Sequence, residues 1–207
     1  MVYGIVDIDM IAGPSDILVI ADESADCRFV AADMLGQSEH DEMAAAVLVT
    51  DSKKLAEKVR DEIELQLKTL ERADIARASI NKNGKIIITK DLKEAVSISN
   101  AIAPEHLEIC TADPFALLNG IKHAGSVFLG SNAPEALGDY FAGTNHILPT
   151  NGTARFRGPL GVDDFVKRSS FMYYTKDALE NVKDRIVSFA RSEGLTAHAK
   201  SVSIRFE

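Results

Sequence analysis

The run Ile17-Leu18-Val19-Ile20 is the first of three short apolar stretches that decide the fold. The other two are Ala46-Val47-Leu48-Val49 and Ile86-Ile87-Ile88-Thr89, and stretches with helical periodicity separate the three. A run without alternating polar residues is typical of a strand buried on both faces, as in a parallel sheet covered by helices. Residues 52–70 carry apolar side chains at helical spacing, and Ser52 is placed to cap that helix. The pattern predicts an α/β fold.

The same alternation continues along the chain and then stops. It predicts residues 107–109 and 125–130 as strands, and residues 90–102 and 114–124 as helices. Asn, Gly, Thr, Arg and Pro dominate residues 151–161, which is typical of a linker or an ordered loop. Residues 177–191 then have a helical apolar pattern. We therefore predict an incomplete Rossmann-like parallel sheet with flanking helices in residues 1–160, and a small, mostly helical tail domain in residues 161–207.

Composition excludes several classes of protein. With 46% hydrophobic and 26% charged residues the chain is globular rather than disordered, and no apolar run approaches the length of a membrane span. A net charge of −8 without clustered Lys and Arg argues against nucleic acid as a partner. The N-terminus lacks the basic residues of a secretion signal, so we expect a cytoplasmic protein without a membrane partner. Cys27 and Cys110 have no partner at metal-motif spacing and are expected to fill the core.

Four ligand-type residues are poorly explained by packing: Gln37, His40, Asp139 and His198. The first pair has the spacing Gln-x-x-His, so in a helix over residues 31–40 both side chains leave one face, as a metal clamp requires. Taken alone, such a pair is more often a helix cap or a solvated side chain than a metal site. The four residues together suggest a divalent metal site.

Short segments between the predicted elements also carry residues suited to chemistry. Gly13-Pro14-Ser15 presents a hydroxyl group just before the first strand, although a plain tight turn explains it as well. Ala103-Pro104-Glu105-His106 places two proton-transfer groups side by side, with a chance Glu-His pair as the alternative. Residues 138–146 set a carboxylate and a histidine among small residues. Residues 193–198 follow a predicted helix and are also compatible with a glycine helix stop and a surface histidine.

Together these segments resemble the histidinol dehydrogenases over nearly the whole chain. Five motifs in the family's order carry the resemblance: Asp9-Met10-Ile11-Ala12-Gly13-Pro14-Ser15, Gln37-Ser38-Glu39-His40, Pro104-Glu105-His106-Leu107, Gly138-Asp139-Tyr140 with Gly143-Thr144-Asn145-His146, and Leu195-Thr196-Ala197-His198. The resemblance implies a zinc-dependent enzyme that oxidises L-histidinol with NAD in two steps, through the aldehyde histidinal to L-histidine. These reactions complete histidine biosynthesis.

The resemblance also implies a role for each candidate residue. Zinc and substrate are expected to be held by Gln37, His40, Asp139 and His198. His106 is expected to contact substrate and to accept the hydroxyl proton, and Glu105 to activate the water that attacks the aldehyde. Further substrate contacts are expected from Ser15, His146 and Glu193, with loop structure as the alternative for His146. Family members form homodimers whose tail crosses to the neighbouring subunit, so Glu193 and His198 are expected to complete the partner's site.

The chain departs from the family in its length, because family members are about twice as long. By the resemblance this chain corresponds to their C-terminal half, and the missing half carries most of the NAD contacts. No G-x-G-x-x-G fingerprint occurs in the sequence, so the NAD-binding residues stay unassigned. One hypothesis is an enzyme half that works with a separate N-terminal part. Another is a module that binds zinc or an imidazole ligand without dehydrogenase activity, and a weaker third is a zinc hydrolase that uses Glu105.

Overall fold

The computed structural model describes residues 4–207 and divides them into two compact units, one that ends at Phe165 and one formed by Val166–Glu207. The first unit contains a five-stranded, fully parallel sheet of order β3-β2-β1-β4-β5. Its strands are β1 (Asp16–Ala21), β2 (Ala45–Thr50), β3 (Lys85–Ile88), β4 (His106–Cys110) and β5 (Ser126–Leu129). The predicted α/β fold with a parallel sheet is confirmed.

Helices connect the strands and form the second unit. The first unit contains α1 (Cys27–Ser38), α2 (Lys53–Gln66), α3 (Ala73–Asn83), α4 (Leu92–Ile102), α5 (Phe115–Leu118) and α6 (Glu135–Tyr140). The second unit contains α7 (Lys176–Glu180), α8 (Lys183–Ser192) and α9 (Thr196–Ser203), with α8 and α9 packed on each other. No helix in residues 4–207 is long and apolar enough to cross a membrane.

The central strand β1 buries both of its faces, which explains its uninterrupted apolar sequence. Ile17 and Val19 pack towards α1, α2 and α3, whereas Leu18 and Ile20 pack towards α4 on the opposite face. Cys110 is buried on the α1 side, as expected of a core residue. Helices on both faces are what a parallel sheet requires, because its crossover connections place them there.

Side chains that hydrogen-bond the backbone mark several helix ends, some from the helix itself and some from elsewhere in the chain. The predicted cap at Ser52 is confirmed, since its hydroxyl oxygen accepts a hydrogen bond of 3.2 Å from the backbone N–H of Leu55. The helix expected over residues 114–124 ends at Leu118 instead, and the Asn100 side chain binds the backbone of Gly120 and Lys122 just after it. The helix expected over residues 177–191 is interrupted at 181–182 and becomes α7 and α8.

A core substitution measures how much the sheet depends on this packing. Leu18 is fully buried on the central strand, so Leu18→Ala is expected to lower the free energy of unfolding by about 2–5 kcal/mol. Leu65 on α2 is 57% exposed, and Leu65→Ala is expected to change it by less than about 0.5 kcal/mol. Urea unfolding of both variants compares the two values, and equal losses would contradict the assignment of Leu18 to the core.

Candidate metal and catalytic site

The candidate site lies where the strands begin. Asp16 starts β1 and His106 starts β4, and Ile17 pairs with His106 in the parallel register. Because α1 runs back across the sheet, its end also reaches this edge and brings Gln37 with it. Ligands of open α/β sheets usually bind at the opposite edge, where the strands end. In this chain the candidate site instead lies at the edge where the strands begin, and side chains from β1, β4, α1 and α6 meet there.

His106 is held in one protonation form by the backbone. Its Nδ1 lies 2.9 Å from the carbonyl oxygen of Asp16, which can only accept a hydrogen bond, so Nδ1 carries the proton. The ring is buried, and burial lowers its pKa to about 4, so the imidazole is neutral at pH 7. The free lone pair is therefore on Nε2, which is the basic atom that faces the site.

His146 lies directly against this basic atom. Its Nε2 is 3.0 Å from His106 Nε2 and 3.3 Å from Asp139 Oδ1, and the two imidazole rings stack with centroids 5.0 Å apart. Since His106 Nε2 is an acceptor, His146 donates from Nε2, and its buried Nδ1 has no hydrogen-bond partner among residues 4–207. Gly138 makes room for the ring, because a Cβ atom there would lie 2.6 Å from Cε1 of His146.

Glu105 and Asp16 hold each other in place across the two strands. The N–H of Asp16 donates to Glu105 Oε2 at 3.1 Å, and the N–H of Glu105 donates to Asp16 Oδ1 at 2.9 Å. Burial raises the pKa of Glu105 to about 7 and that of Asp16 to about 6. The neighbouring Ser15 partly offsets the effect of burial on the pKa of Glu105. Glu105 can therefore exist in both protonation states near neutral pH, as an acid-base group requires.

Two clusters of potential metal ligands share Glu135 on α6. One combines Glu135 with His106 and His146, and the other combines it with His40 and Asp139. Within each cluster, one ligand atom per residue lies within 4.8 Å of the others. Oε1 of Glu135 is 3.5 Å from Nε2 of His106. Burial, followed by the nearby charge of Asp139, raises the pKa of Glu135 to about 8. A divalent cation is well suited to such a concentration of acceptor atoms.

The buried amide oxygen of Gln37 is an independent indication of a metal site. The residue is 1% exposed, yet its amide oxygen Oε1 has no hydrogen-bond partner in the part of the chain that the structure describes. Helix α1 ends at Ser38, two residues earlier than the sequence suggested, and His40 lies in the following turn with its N–H bonded to the Gln37 carbonyl at 3.3 Å. A buried amide oxygen without a partner costs free energy unless an ion or a water satisfies it. Together with His40 and Asp139 it makes a nitrogen and oxygen donor set of the kind that zinc accepts.

The remaining candidates lie in the second unit. Glu193 follows α8 as its capping residue, and His198 is on α9; both are exposed within the coordinates of that unit. The backbone carbonyl of His198 accepts a hydrogen bond from the Ser201 hydroxyl at 2.7 Å. In the first unit, His40, His106, Asp139 and His146 belong to the clusters around Glu135, and Glu105 contacts the start of β1. Ser15 directly precedes that start, and Gln37 lies three residues before His40 at the end of α1. For Glu193 and His198 a place in the site stays a prediction.

Sequence reasoning missed three acidic residues of this region, Asp16, Glu135 and Glu108. A signal for Glu135 was present, because it lies four residues before Asp139 and therefore on the same side of a helix. Glu108 interrupts a buried strand between Leu107 and Ile109, which is an uncommon position for a charged residue. Asp16 gave no comparable signal, since a polar residue before a strand is ordinary.

Comparison with known proteins identifies the family. The sequence profile of histidinol dehydrogenase matches residues 1–206. The chain belongs to the histidinol dehydrogenase family. Histidinol dehydrogenase of Bacillus cereus is 58% identical over 206 residues, which cover 100% of this chain and 48% of the relative. The enzyme of Clostridium acetobutylicum is 57% identical over the same shares of the two chains.

A solved structure agrees with this membership. The crystal structure of histidinol dehydrogenase from Elizabethkingia anophelis superposes with a TM-score of 0.82 at 39% identity and covers 97% of this chain and 46% of that chain. The chain therefore spans about half the length of the curated relatives and of the solved structure that it matches. The family assignment rests on the matched half alone.

Gly138→Ala tests the close packing of His146 in this histidinol dehydrogenase relative. Alanine normally stabilises a helix interior over glycine by about 1 kcal/mol, and Gly36→Ala on α1, where a Cβ meets nothing within 4 Å, is expected to do so. At Gly138 the added Cβ would lie 2.8 Å from Cζ of Phe128 and still closer to His146, so the substitution is expected to lower the free energy of unfolding and to shift the His146 ring signals in NMR spectra. Equal stabilisation by the two substitutions would contradict this packing.

The metal-free chain is expected to lose stability as the pH rises from about 6.5 to 9. Burial raises the pKa of Glu105 to about 7, of Glu135 to about 8 and of Glu108 to about 9. The folded chain then binds protons that the unfolded chain has released, so the free energy of unfolding falls by up to about 1.4 kcal/mol per pH unit and proton.

His106 acts in the opposite direction at lower pH. Its pKa is lowered to about 4 by burial, so between that pH and its ordinary 6.5 the folded chain binds fewer protons than the unfolded chain. Stability gained from His106 therefore rises with pH in that window and is constant above it. Urea unfolding from pH 6.5 to 9 reports on the carboxyl groups alone, because the contribution of His106 is constant in this range. A free energy of unfolding that increases with pH over this range would refute the raised pKa values.

Proposed function

We propose that the chain carries the metal-binding and acid-base part of a histidinol dehydrogenase, which oxidises L-histidinol through histidinal to L-histidine with NAD. The observation that carries the proposal is the orientation of His106. Its neutral imidazole is held by a backbone hydrogen bond, so that the lone pair on Nε2 faces the nitrogen and oxygen donors of the site. The chain also belongs to the histidinol dehydrogenase family. Family membership supports the substrate and the two-step reaction, and the geometry supports the presence of a base next to a cation site.

The donor set fits zinc. Its ligands in our proposal are Gln37, His40, Asp139 and His198, and the buried, unpartnered oxygen of Gln37 supports this choice. When bound, zinc would supply a Lewis acid that holds the amine and imidazole nitrogen atoms of the substrate. Asp139 contributes the only formal negative charge among these ligands, which leaves net positive charge for substrate binding.

His106 is proposed as the base for the hydroxyl proton, which it accepts at Nε2. The Asp16 carbonyl then stabilises the resulting imidazolium, because it already accepts the Nδ1 proton at 2.9 Å. Before the reaction, the lone pair on His106 Nε2 accepts a hydrogen bond from the Nε2–H group of His146. Asp139 Oδ1, 3.3 Å from His146 Nε2, is a second acceptor for the same N–H group. In this proposal His146 lines the substrate pocket and frees the base when substrate enters.

Glu105 is proposed to activate the water that attacks the aldehyde. Its pKa of about 7 allows the ionised form to accept a proton from water near neutral pH, whereas an ordinary carboxylate is a much weaker base. The backbone N–H of Asp16 fixes one carboxylate oxygen. Ser15, which directly precedes Asp16 at the start of β1, is proposed as a substrate contact on the same side of the site.

The NAD pyrophosphate does not fit the usual place in this sheet. In doubly wound folds it binds at the turn after β1, next to the first helix. Here that turn carries Asp22, Glu23 and Asp26, and Asp26 itself caps α1 through the Arg28 N–H at 2.9 Å. Three carboxylates would repel a pyrophosphate. NAD therefore remains part of the proposal through the family, and we derive no step through it.

The second unit is proposed to act in a homodimer. In this proposal the tail crosses to a neighbouring subunit, where Glu193 contacts substrate and His198 completes the zinc site. Exposure of both side chains within their unit makes them available for such a role. A cytoplasmic location and the participation of a separate N-terminal half also remain proposals.

The acidic turn after β1 also favours a second candidate function. A chain that cannot place NAD there could bind zinc and an imidazole ligand without oxidising it. The two candidates share the metal site and differ in one product, because only a dehydrogenase forms NADH. An NADH assay with L-histidinol and NAD on the zinc-loaded chain, run alone and with an added N-terminal half, therefore distinguishes them.

Histidine substitutions test the metal site directly. His40→Ala and His198→Ala are expected to lower zinc affinity at least tenfold, because each removes one of four ligands. His123→Ala is the matched control, since His123 is the one histidine of the chain outside the proposed site and is expected to leave affinity unchanged. Zinc competition titrations give the affinities, and calorimetry compares L-histidinol binding with and without zinc.

Two results would contradict this proposal. Zinc affinity that is equal in the wild type, His40→Ala and His198→Ala would remove these residues from the site. L-Histidinol binding that is independent of zinc would mean that the substrate is recognised in some other way.

A further inference from the structure

Residues 147–156 form a loop that contacts the backbone next to both strand starts of the site, and the proposed reaction gives this loop no role. Its Asn, Gly, Thr and Arg residues are compatible with a linker or an ordered loop. Three of its residues are buried, namely Leu148, Thr150 and Ala154. A linker on the surface would not bury side chains in this way, so loop 147–156 is part of the packed structure.

A tight Asn-Gly turn shapes this loop. The carbonyl oxygen of Thr150 accepts hydrogen bonds from the N–H of Thr153 at 3.1 Å and from the hydroxyl group of Thr153 at 2.7 Å. Asn151 and Gly152 have φ angles of 56° and 72°. A type I′ turn requires a positive φ at both central residues, and Asn followed by Gly adopts it most readily. The turn therefore fixes the direction in which the Thr150 side chain leaves the loop.

Thr150 holds the segment that leads into β1. Its hydroxyl oxygen accepts a hydrogen bond of 2.7 Å from the backbone N–H of Gly13. A Cβ atom at Gly13 would lie 2.9 Å from Cβ of Asn151, so the two segments approach too closely for a side chain at this position. Pro14 has a fixed φ, so the position of Gly13 is passed on to Ser15 through one rigid residue.

Arg155 holds the helix that leads into β4. Its guanidinium group donates one hydrogen bond to the carbonyl oxygen of Ala101 and another, of 2.9 Å, to that of Gly152. Ala101 is in the last turn of α4, where carbonyl groups lack partners within the helix and a positive charge is favourable. Only two residues separate the end of α4 from Glu105.

Pro149 contacts the same region from a third direction. A Cβ atom at Gly125 would lie 3.0 Å from Cδ of Pro149. The N–H groups of Gly125 and Ser126 donate hydrogen bonds of 2.9 Å to the carbonyl oxygen atoms of Pro104 and Glu105, respectively. Loop 147–156 is thus packed against backbone that is bonded directly to Glu105.

We infer that Thr150 is a positioning residue, which together with Arg155 holds Ser15 and Glu105 in the relative position that the substrate requires. This inference rests on the proposed function and deepens it. Ser15 and Glu105 belong to segments that are far apart in sequence, and loop 147–156 is bonded to the backbone near each of them. Shifts of about 1 Å at such a site are enough to impair binding and catalysis.

Two substitutions at Thr150 separate the hydroxyl group from side-chain size. Thr150→Val has a similar shape but leaves the Gly13 N–H without this acceptor, and we expect the Kd of the zinc-loaded chain for L-histidinol to rise at least about tenfold. Thr150→Ser keeps the acceptor, so its Kd is expected to stay within about threefold of the wild type. Calorimetry measures both values.

Zinc affinity separates positioning of the substrate from a general loss of structure. The hydrogen bonds of Thr150 go to Gly13 and Thr153 rather than to a proposed zinc ligand, so Thr150→Val is expected to keep wild-type zinc affinity. Thr89→Val is the matched control, because Thr89 is also buried and its hydroxyl group has no hydrogen-bond partner within residues 4–207. It is expected to leave both affinities unchanged.

Four results would overturn the inference. They are an unchanged Kd for L-histidinol in Thr150→Val, an equal rise in Thr150→Ser, an equal rise in Thr89→Val, and a parallel loss of zinc affinity in Thr150→Val. If Thr150→Val does not fold, Arg155→Met replaces it, because the Arg155 side chain is exposed and its loss frees the end of α4. The same rise in Kd at constant zinc affinity is expected, and wild-type values would overturn the inference.

A ligand-free measurement distinguishes failure of this inference from failure of the proposed function. If the wild-type chain binds neither zinc nor L-histidinol, the proposed function is wrong, and hydrogen exchange of the Asp16 N–H, which donates to Glu105, then decides the role of Thr150. We expect this exchange to be at least about tenfold faster in Thr150→Val and close to wild type in Thr150→Ser and Thr89→Val. Faster exchange at Gly13 with no change at Asp16 would overturn the inference, because the effect of the bond would then end at Gly13.

Discussion

The hydrogen bond between Nδ1 of His106 and the backbone carbonyl of Asp16 is the constraint on which the site depends. It is a contact between two adjacent parallel strands, so the same register that builds the sheet also fixes the orientation of the base. Because a carbonyl can only accept, the bond leaves the lone pair on Nε2, where it faces His146 and Glu135. The reciprocal bonds between Glu105 and Asp16 use the same pair of strand starts. The pairing of β1 with β4 therefore builds the sheet and orients His106 and Glu105 at the same time.

Electrostatics supports the proposal of a cation at this edge. Glu105, Glu135 and Asp16 all have raised pKa values because burial removes water from them, and their mutual repulsion adds to the effect for Glu105 and Glu135. A divalent ion would lower these pKa values by supplying the positive charge that the described residues of the cluster do not. The same environment lowers the pKa of His106, which keeps the imidazole neutral at pH 7 and leaves the lone pair on Nε2. The metal-free and metal-bound proteins should thus differ in protonation more than in backbone structure.

The sequence predicted the sheet well because the strands are buried on both faces and so read as uninterrupted apolar runs. It predicted helix ends less well, since residues such as Asn100, which binds the backbone after α5, act from elsewhere in the chain. Gln37, His40, Glu105, His106 and Asp139 were found through motifs, and the structure places all five at one edge. Asp16 could not be found in this way, because its contacts with Glu105 and His106 cross from one strand to the next. The helix over residues 73–83 was missed because its apolar spacing is weak.

X-ray absorption at the zinc edge of the purified, zinc-loaded chain tests the central claim most directly. The account predicts nitrogen and oxygen ligands at about 2.0–2.1 Å, scattering from two imidazole rings, and no sulfur. Addition of L-histidinol is expected to add a third imidazole to the spectrum. A sulfur ligand at about 2.3 Å, or a spectrum that L-histidinol leaves unchanged, would contradict the claim that this edge of the sheet binds zinc and presents it to an imidazole substrate.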